Sequence, residues 1–281
     1  MLVNPIDTVL PRPFLKWAGG KTKLIQQYEP YFPKTFKTYY EPFLGGGSVF
    51  FYFCRESHSF SAVLTDINPE LINAYHCIQT QPEQVISLLA IHQKRHSPEY
   101  YYQVRGNAQG SACEKAARLI YLNKTCFNGL YRENSKGQFN VPLGRYKKPN
   151  IFNSDLIRSV SAALQNVQLE VRPFEDILHY ATSSNDFVYF DPPYYPLSYT
   201  SNFTAYSRNS FNEDDQLKLR DVFAELAQRG VKVMLSNSDC PFIRKIYSKF
   251  EFNIHRISAL RSINSNIKKR GSIPEVLVTS Y

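Results

Sequence analysis

Four consecutive residues, Asp191-Pro192-Pro193-Tyr194, set a carboxylate, two residues without a backbone donor and an aromatic ring side by side. They follow a strand candidate over residues 187–190. Two prolines can continue neither a helix nor a central ladder, so the chain must turn out of the sheet here, at the carboxyl end of the strand. Open α/β sheets bind their ligands at that edge. The exocyclic amino group of a planar base is conjugated with its ring and is a poor nucleophile. Asp191 and the backbone carbonyl of Pro192 can accept its two N–H bonds, which pulls the nitrogen toward tetrahedral geometry and aims its lone pair at an electrophilic methyl group. Tyr194 can stack on the base. Such chemistry is positioning and electrostatics, without a covalent enzyme intermediate. The competing reading is a proline-stiffened turn at a strand end.

Two more groups belong with a methyl donor that carries adenosine. Glu41-Pro42-Phe43-Leu44-Gly45-Gly46-Gly47-Ser48 joins a candidate strand to a candidate helix. Glycine there lets backbone approach a ligand and permits positive φ. The loop lacks the full dinucleotide spacing, which counts against NAD, and a plain tight turn is the alternative. Asp66, in Leu64-Thr65-Asp66-Ile67-Asn68, ends the next strand candidate. An acid about twenty residues past the glycines can accept both ribose hydroxyls. The alternative is an N-cap for a helix starting near Pro69.

The elements that must carry these groups follow a βαβ rhythm. Strand candidates are residues 38–41, 62–66, 168–172, 187–190 and 231–236, several of them continuous apolar runs suited to a sheet buried on both faces. Residues 252–257 and 275–279 come late, with no long helix between them, and predict an antiparallel pair at the sheet edge. Helix candidates include 48–55 and 213–229, the latter with Asn212 as N-cap and Gly230 as stop. The rhythm predicts a doubly wound α/β domain. Roughly a hundred residues separate Asp66 from Gln168, far more than one crossover needs. The intervening stretch has helix candidates at 82–95, 99–106 and 112–124. It is read as an inserted, mainly helical domain over 79–149, with 1–78 and 150–281 forming the main domain.

Composition narrows the partner. The 281 residues carry a net charge of +9 and 20 Tyr and 20 Phe, a balance that favours a polyanion through counterion release, although a soluble protein can simply be basic. The five cysteines, Cys54, Cys77, Cys113, Cys126 and Cys240, fit neither a disulfide framework nor a zinc site. They suggest a reduced, cytoplasmic protein without metal. Neither a signal peptide nor a run long enough for a membrane span is evident.

One motif in the insert has a nucleic-acid character. Asn123-Lys124-Thr125-Cys126-Phe127-Asn128-Gly129-Leu130-Tyr131-Arg132 is followed by Gly137-Gln138-Phe139-Asn140-Val141-Pro142-Leu143-Gly144-Arg145-Tyr146-Lys147-Lys148. Two arms flank a polar turn, which predicts a hairpin. Aromatics interleaved with bases suit stacking on nucleotides and pairing with phosphates. A solvated basic hairpin is the bland alternative.

Taken together and in order, these motifs resemble the Dam-type N6-adenine DNA methyltransferases, the D12 class in which the cofactor motif precedes the catalytic one. Phe14-Leu15-Lys16-Trp17-Ala18-Gly19-Gly20-Lys21 is similar to that family's N-terminal signature, and Pro274-Glu275-Val276-Leu277-Val278 to its closing run. The resemblance runs from about Phe14 to the C-terminal residues. It implies a Rossmann-like methyltransferase sheet, mostly parallel with an antiparallel strand at one edge, and an inserted target-recognition domain bearing a β-hairpin. It implies S-adenosylmethionine as cofactor, contacted by Trp17, Lys21, Phe43, Gly45, Asp66 and Asp191, with Asp191, Pro192 and Tyr194 catalytic.

Double-stranded DNA is the implied partner, with the target adenine flipped out of the duplex. Arg132 would read a guanine edge and Lys16 the first guanine. Leu130 and Pro142 would touch a thymine methyl, Phe127 and Asn128 would wedge into the duplex, and Tyr146 and Lys147 would contact its backbone. GATC is the implied target. A monomer is expected, with a cognate restriction endonuclease as a potential companion. An N4-cytosine methyltransferase, an RNA methyltransferase and a catalytically inactive DNA-binding relative are the other readings. Asp rather than Ser or Asn at position 191, with the intact motifs, disfavours all three. The polar stretch 198–210 is expected to close over the flipped base. Residues 262–271, with Lys268, Lys269 and Arg270, are expected either to face DNA or to be a solvated connection.

Overall fold

A computed structural model describes residues 9–56, 59–197, 211–260 and 272–281. Its strands are β1 (Thr38–Glu41), β2 (Ser61–Asp66), β3 (Val167–Val171), β4 (Asp186–Phe190), β5 (Lys232–Ser238), β6 (Asn253–Leu260) and β7 (Ser272–Thr279). Its α-helices are α1 (Ile25–Tyr28), α2 (Ser48–Arg55), α3 (Pro69–Thr80), α4 (Pro82–Arg95), α5 (Pro98–Gly106), α6 (Ala112–Thr125), α7 (Ser154–Ala163), α8 (Glu213–Gln228) and α9 (Pro241–Tyr247). The strands form a seven-stranded sheet in the order β3-β2-β1-β4-β5-β7-β6. This is the Rossmann-like α/β class expected, mostly parallel, with antiparallel pairing at the β7–β6 edge. The chain divides into two compact units. One comprises Met1–Lys21, Gly45–His58 and Asn68–Val171; the other comprises Thr22–Leu44, Ser59–Ile67 and Arg172–Tyr281.

In the second unit β4 is central, paired in parallel with β1 on one side and β5 on the other. Its residues Asp-Phe-Val-Tyr-Phe are buried throughout, which is why the strand reads as a continuous apolar run. Successive side chains alternate between faces. Phe187 meets the aromatic rings of Phe32, Phe36 and Tyr39. Val188 and Phe190 join a core with Leu219, Val222, Phe223 and Leu226 of α8. That helix starts at a reciprocal capping box between Asn212 and Asp215, and its first turn carries Glu213, Asp214 and Asp215, placing negative charge at the positive end of the helix dipole. Gly230, just past its end, has φ +80°. The late pair of strands is present as predicted, with the later strand inside: Val278 lies opposite both Leu235 of β5 and Ile254 of β6.

The first unit contains α2 to α7 and β3. The predicted helices over 82–95, 99–106 and 112–124 appear as α4, α5 and α6 within a residue of their expected ends. Asn68, Ser97, Ser111 and Asn153 each cap a helix through a side-chain oxygen. The predicted hairpin is narrower than a ladder. It consists of two isolated antiparallel bridges, Cys126 with Leu143 and Glu133 with Phe139, closed by a turn in which the Asn134 Oδ1 accepts from the backbone of Lys136 and Gln138.

On α4 the His92 ring stacks on Tyr121 at 4.8 Å, and its Nδ1 lies 2.9 Å from the Tyr100 hydroxyl. Burial, reinforced by Arg95, pushes His92 down from 6.5 to about 4. Between those values the unfolded chain takes up a proton that the folded unit rejects, so stability is full above 6.5 and is lost as pH falls toward 4. The urea midpoint is expected to drop through that window, with a shallower pH dependence in His92→Phe.

Candidate functional site

The parallel register of β4 and β5 sets Phe190 opposite Leu235, which brings the next residues, Asp191 and Ser236, side by side. Ser236 Oγ donates to Asp191 Oδ1 at 2.8 Å, and the Tyr189 hydroxyl is 2.9 Å from the same Oγ. An ionised carboxylate only accepts, so the Ser236 hydrogen is committed to Asp191 and Tyr189 donates to Ser236. Burial, with the Asp191 charge nearby, holds the Tyr189 phenol well above its usual range and keeps it a donor.

Beyond the prolines the loop is tied to the end of β5 and to α8. Gln216 Nε2 donates to the Pro193 carbonyl at 3.0 Å, and Asn237 Nδ2 donates to Gln216 Oε1 at 2.9 Å. Asn237 Oδ1 accepts the Tyr195 N–H at 3.1 Å, and Ser238 Oγ donates to the Tyr195 carbonyl at 2.7 Å. Glu275, opposite Ser238 in the β5–β7 pair, accepts on Oε2 from Tyr194 at 2.7 Å and from Tyr28 at 3.3 Å. Burial raises both phenols, as do the neighbouring carboxylates, so both stay protonated. Pro192 is buried, whereas Asp191 and Tyr194 keep part of their surface. In the same unit Phe43 stacks on Phe174 at 5.4 Å and meets Phe211 edge-on. Asp66 ends β2 with its side chain partly exposed. The capping alternative for Asp66 is overturned, because Asn68 accepts from the N–H groups of Glu70 and Leu71 and caps α3.

In the first unit, a Cβ added to Gly45 would fall 2.7 Å from Cδ1 of Trp17, and Gly45 has φ +47°, so the glycine backbone lies flush against the indole. Tyr131 stacks on Trp17 at 5.4 Å. Lys21 is 3 % exposed, and its Nζ donates to the Gly19 carbonyl at 2.5 Å. The residues alone suggest a core tryptophan and a surface lysine; the reverse is nearer the fact, with Trp17 part-exposed.

Lys16 is fixed by the buried Asn123, whose Oδ1 accepts the Lys16 N–H at 2.7 Å and whose Nδ2 donates to the carbonyls of Lys16 and Gly129. The Lys16 Nζ lies 4.3 Å above the Tyr146 ring. Nearby Lys124 is pushed down to about 8 by burial, then by Lys16 and Arg12, a concentration of positive charge suited to phosphate. Phe127 and Asn128 are exposed at the hairpin's edge, where Asn128 takes φ +55°. Arg132 is exposed and held by Asn140, its Nε donating to Oδ1 at 2.7 Å. Pro142, also exposed, accepts the Phe127 N–H at 2.8 Å. Leu130 is partly buried, and Lys147 is exposed.

Residues 17–263 match the model of the D12 class N6 adenine-specific DNA methyltransferases. The chain belongs to this family. It is 45% identical over 278 residues to the type II methyltransferase M1.LlaDCHI of Lactococcus lactis subsp. cremoris, covering 96% of this chain and 95% of that one. It is 41% identical to the type II methyltransferase M.MjaIII of Methanocaldococcus jannaschii, covering 96% and 99%. It is 36% identical to the DNA adenine methylase of Escherichia coli K12, covering 95% and 94%.

For an adenine-specific DNA methyltransferase, the sequence-named residues fall into two sets. Phe43, Asp66, Asp191, Pro192 and Tyr194 lie in the second unit. Lys16, Trp17, Lys21, Gly45 and every hairpin residue lie in the first. Four contacts behind these side chains escaped the sequence reading: Ser236 against Asp191, Glu275 against Tyr194, Asn123 against Lys16 and Tyr131 against Trp17. The β4–β5 register was the one signal that would have found Ser236. The expectations for 198–210 and for 262–271 lie outside the described residues. Among the described residues no group of three or more His, Cys, Asp or Glu is placed to hold a metal, and no helix is long and apolar enough to cross a membrane.

Ser236→Ala removes the donor that fixes the Asp191 carboxylate. Its kcat is expected to fall about 10- to 100-fold, the scale of one lost positioning bond near a reacting centre, with DNA and cofactor affinities little changed; single-turnover methylation and equilibrium binding check this.

Proposed function

We propose that this chain transfers a methyl group from S-adenosylmethionine to the N6 of an adenine flipped out of duplex DNA, within GATC. The observation that carries the reading is the tethered Asp191-Pro192 pair, a carboxylate and a carbonyl held at the end of the central strand by Ser236 and by the ties on Pro193 and Tyr195. The donor set fits the cofactor. Asp66 offers a carboxylate for a ribose diol, with capping left to Asn68, and Phe43 offers a ring for an adenine. Gly45 and Trp17 present bare backbone and an indole, and Lys21 adds a cation.

When bound, S-adenosylmethionine supplies a methyl group on a positively charged sulfur, electrophilic enough to need no enzyme nucleophile. Asp191 and the Pro192 carbonyl accept hydrogen bonds from the two N6 hydrogens and orient the nitrogen lone pair, the proton that N6 must shed on methylation leaves by way of Asp191, and Tyr194 packs on the base. Extruding the adenine costs a few kcal/mol of stacking and pairing, which Phe127 and Asn128 offset by filling the gap. Lys16 and Arg132 read guanines, Leu130 and Pro142 the thymine methyls, and Tyr146 and Lys147 hold the backbone. Functionally, 1–78 and 150–281 carry catalysis and 79–149 carry recognition, a division distinct from that into compact units. The names of the first two relatives favour a role beside a restriction endonuclease. A cytoplasmic monomer without metal completes the proposal.

Methylation of random-sequence duplex DNA, read at base resolution, tests base and site together; methyl groups on cytosine N4, or on adenines outside GATC, would refute the corresponding part. Asp191→Ala is expected to abolish transfer while retaining most DNA affinity, and near-normal turnover in that variant would overturn the mechanism. Arg132→Ala is expected to lose about 1–3 kcal/mol of discrimination at one base pair. A uniform loss of affinity for all sequences would instead mark it as a phosphate contact.

A further inference from the structure

Tyr131 lies between Leu130 and Arg132, the hairpin residues proposed to read bases. On an extended arm, neighbouring side chains point to opposite faces, so Leu130 and Arg132 share one face and Tyr131 takes the other. Its ring stacks on Trp17 at 5.4 Å with 29° between the planes. The Gly45 backbone bears on the edge of the same indole, and Tyr75 holds the Gly45 carbonyl at 3.2 Å. The indole is therefore wedged between the glycine loop and the recognition arm. The Tyr131 hydroxyl reaches Glu133 and, at 3.1 Å, Glu70 in the first turn of α3, and Glu70 also faces Arg118 at 3.7 Å. Two carboxylates compete for one phenolic hydrogen, so the ring is held from its polar end as well as its face. Arg132 bonds Asn140 through Nε, so its engagement with a base edge bears on the very arm that carries Tyr131.

We propose that Tyr131 is a positioning residue that couples target recognition to cofactor binding, by transmitting engagement of Leu130 and Arg132 with DNA to Trp17 and the glycine loop. This rests on the proposed function, in which Trp17 contacts the cofactor and the hairpin reads the target. The coupling is reciprocal: target duplex tightens cofactor binding, and cofactor tightens target binding by the same factor.

The test uses calorimetric titration of the full chain with S-adenosylhomocysteine, alone, with the duplex that methylation mapping identifies as target, and with a scrambled duplex. Target duplex is expected to tighten binding about 5- to 150-fold, the usual span for coupled sites, and the scrambled duplex less than about 2-fold. Tyr131→Leu should bring the target effect to within about 2-fold of none, while Tyr131→Phe, which keeps the stacked ring, retains most of it. Trp17 is the single tryptophan of the chain, so its emission must also shift when target duplex binds without cofactor, a readout on the wild-type protein that stands even where Tyr131→Leu folds poorly. Absence of that shift, equal effects of both duplexes, undiminished coupling in Tyr131→Leu, or loss of coupling in Tyr131→Phe each overturns the proposal. Undiminished cofactor affinity in Trp17→Leu, or full base discrimination in Arg132→Ala, would instead bring down the site assignment beneath it.

Discussion

The loop after the central strand is governed by what two adjacent prolines cannot do. Neither Pro192 nor Pro193 has an N–H to offer a neighbouring strand, so the central strand must stop at Phe190 and the chain must leave the sheet. A loop released this way would sample many arrangements, and the Asp191 carboxylate with it. The structure answers with ties from β5, α8 and β7: Ser236 on Asp191, Asn237 and Ser238 on Tyr195, Gln216 on Pro193 and Glu275 on Tyr194. Most of these groups are themselves buried, where each hydrogen bond is short of competition from water and an unmade one would be costly.

The hairpin in the first unit follows a different rule. Its ladder is limited to two isolated bridges, and buried side chains that reach the main chain add to its order. Asn123 alone satisfies three backbone groups of Lys16 and Gly129. The exposed residues Phe127, Asn128, Arg132 and Pro142 are thereby held on a firm base while their own surfaces stay open to solvent. Arg132 lies on Asn140 in the free protein, which occupies a guanidinium that would otherwise wander.

The fold was largely legible in the sequence because its signals are local. Buried parallel strands read as apolar runs, α8 announces itself with Asn212 and Gly230, and α4, α5 and α6 follow the helical runs predicted for them. Candidate site residues stood out where a residue type is chemically unusual for its place, as at Asp191-Pro192-Pro193-Tyr194 and the three glycines. They were illegible where the role depends on register or on contacts distant in sequence. Nothing adjacent to Ser236 points to Asp191, 45 residues away, and nothing near Asn123 points to Lys16, 107 residues away. Lys21 misled because exposure was inferred from residue type alone. Asp66 alone read as a plausible cap for the helix near Pro69, yet the duty falls to Asn68, two residues on.

The strand order also makes one edge of the sheet depend on its last strand. Among the described residues β6 pairs with β7 alone. The ladder partners of residues 253–260 therefore all come from 272–279. The same late strand delivers Glu275 to Tyr194. A change that loosens β7 therefore loosens two things at once, the sheet edge that holds β6 and the tie on the loop that bears Asp191.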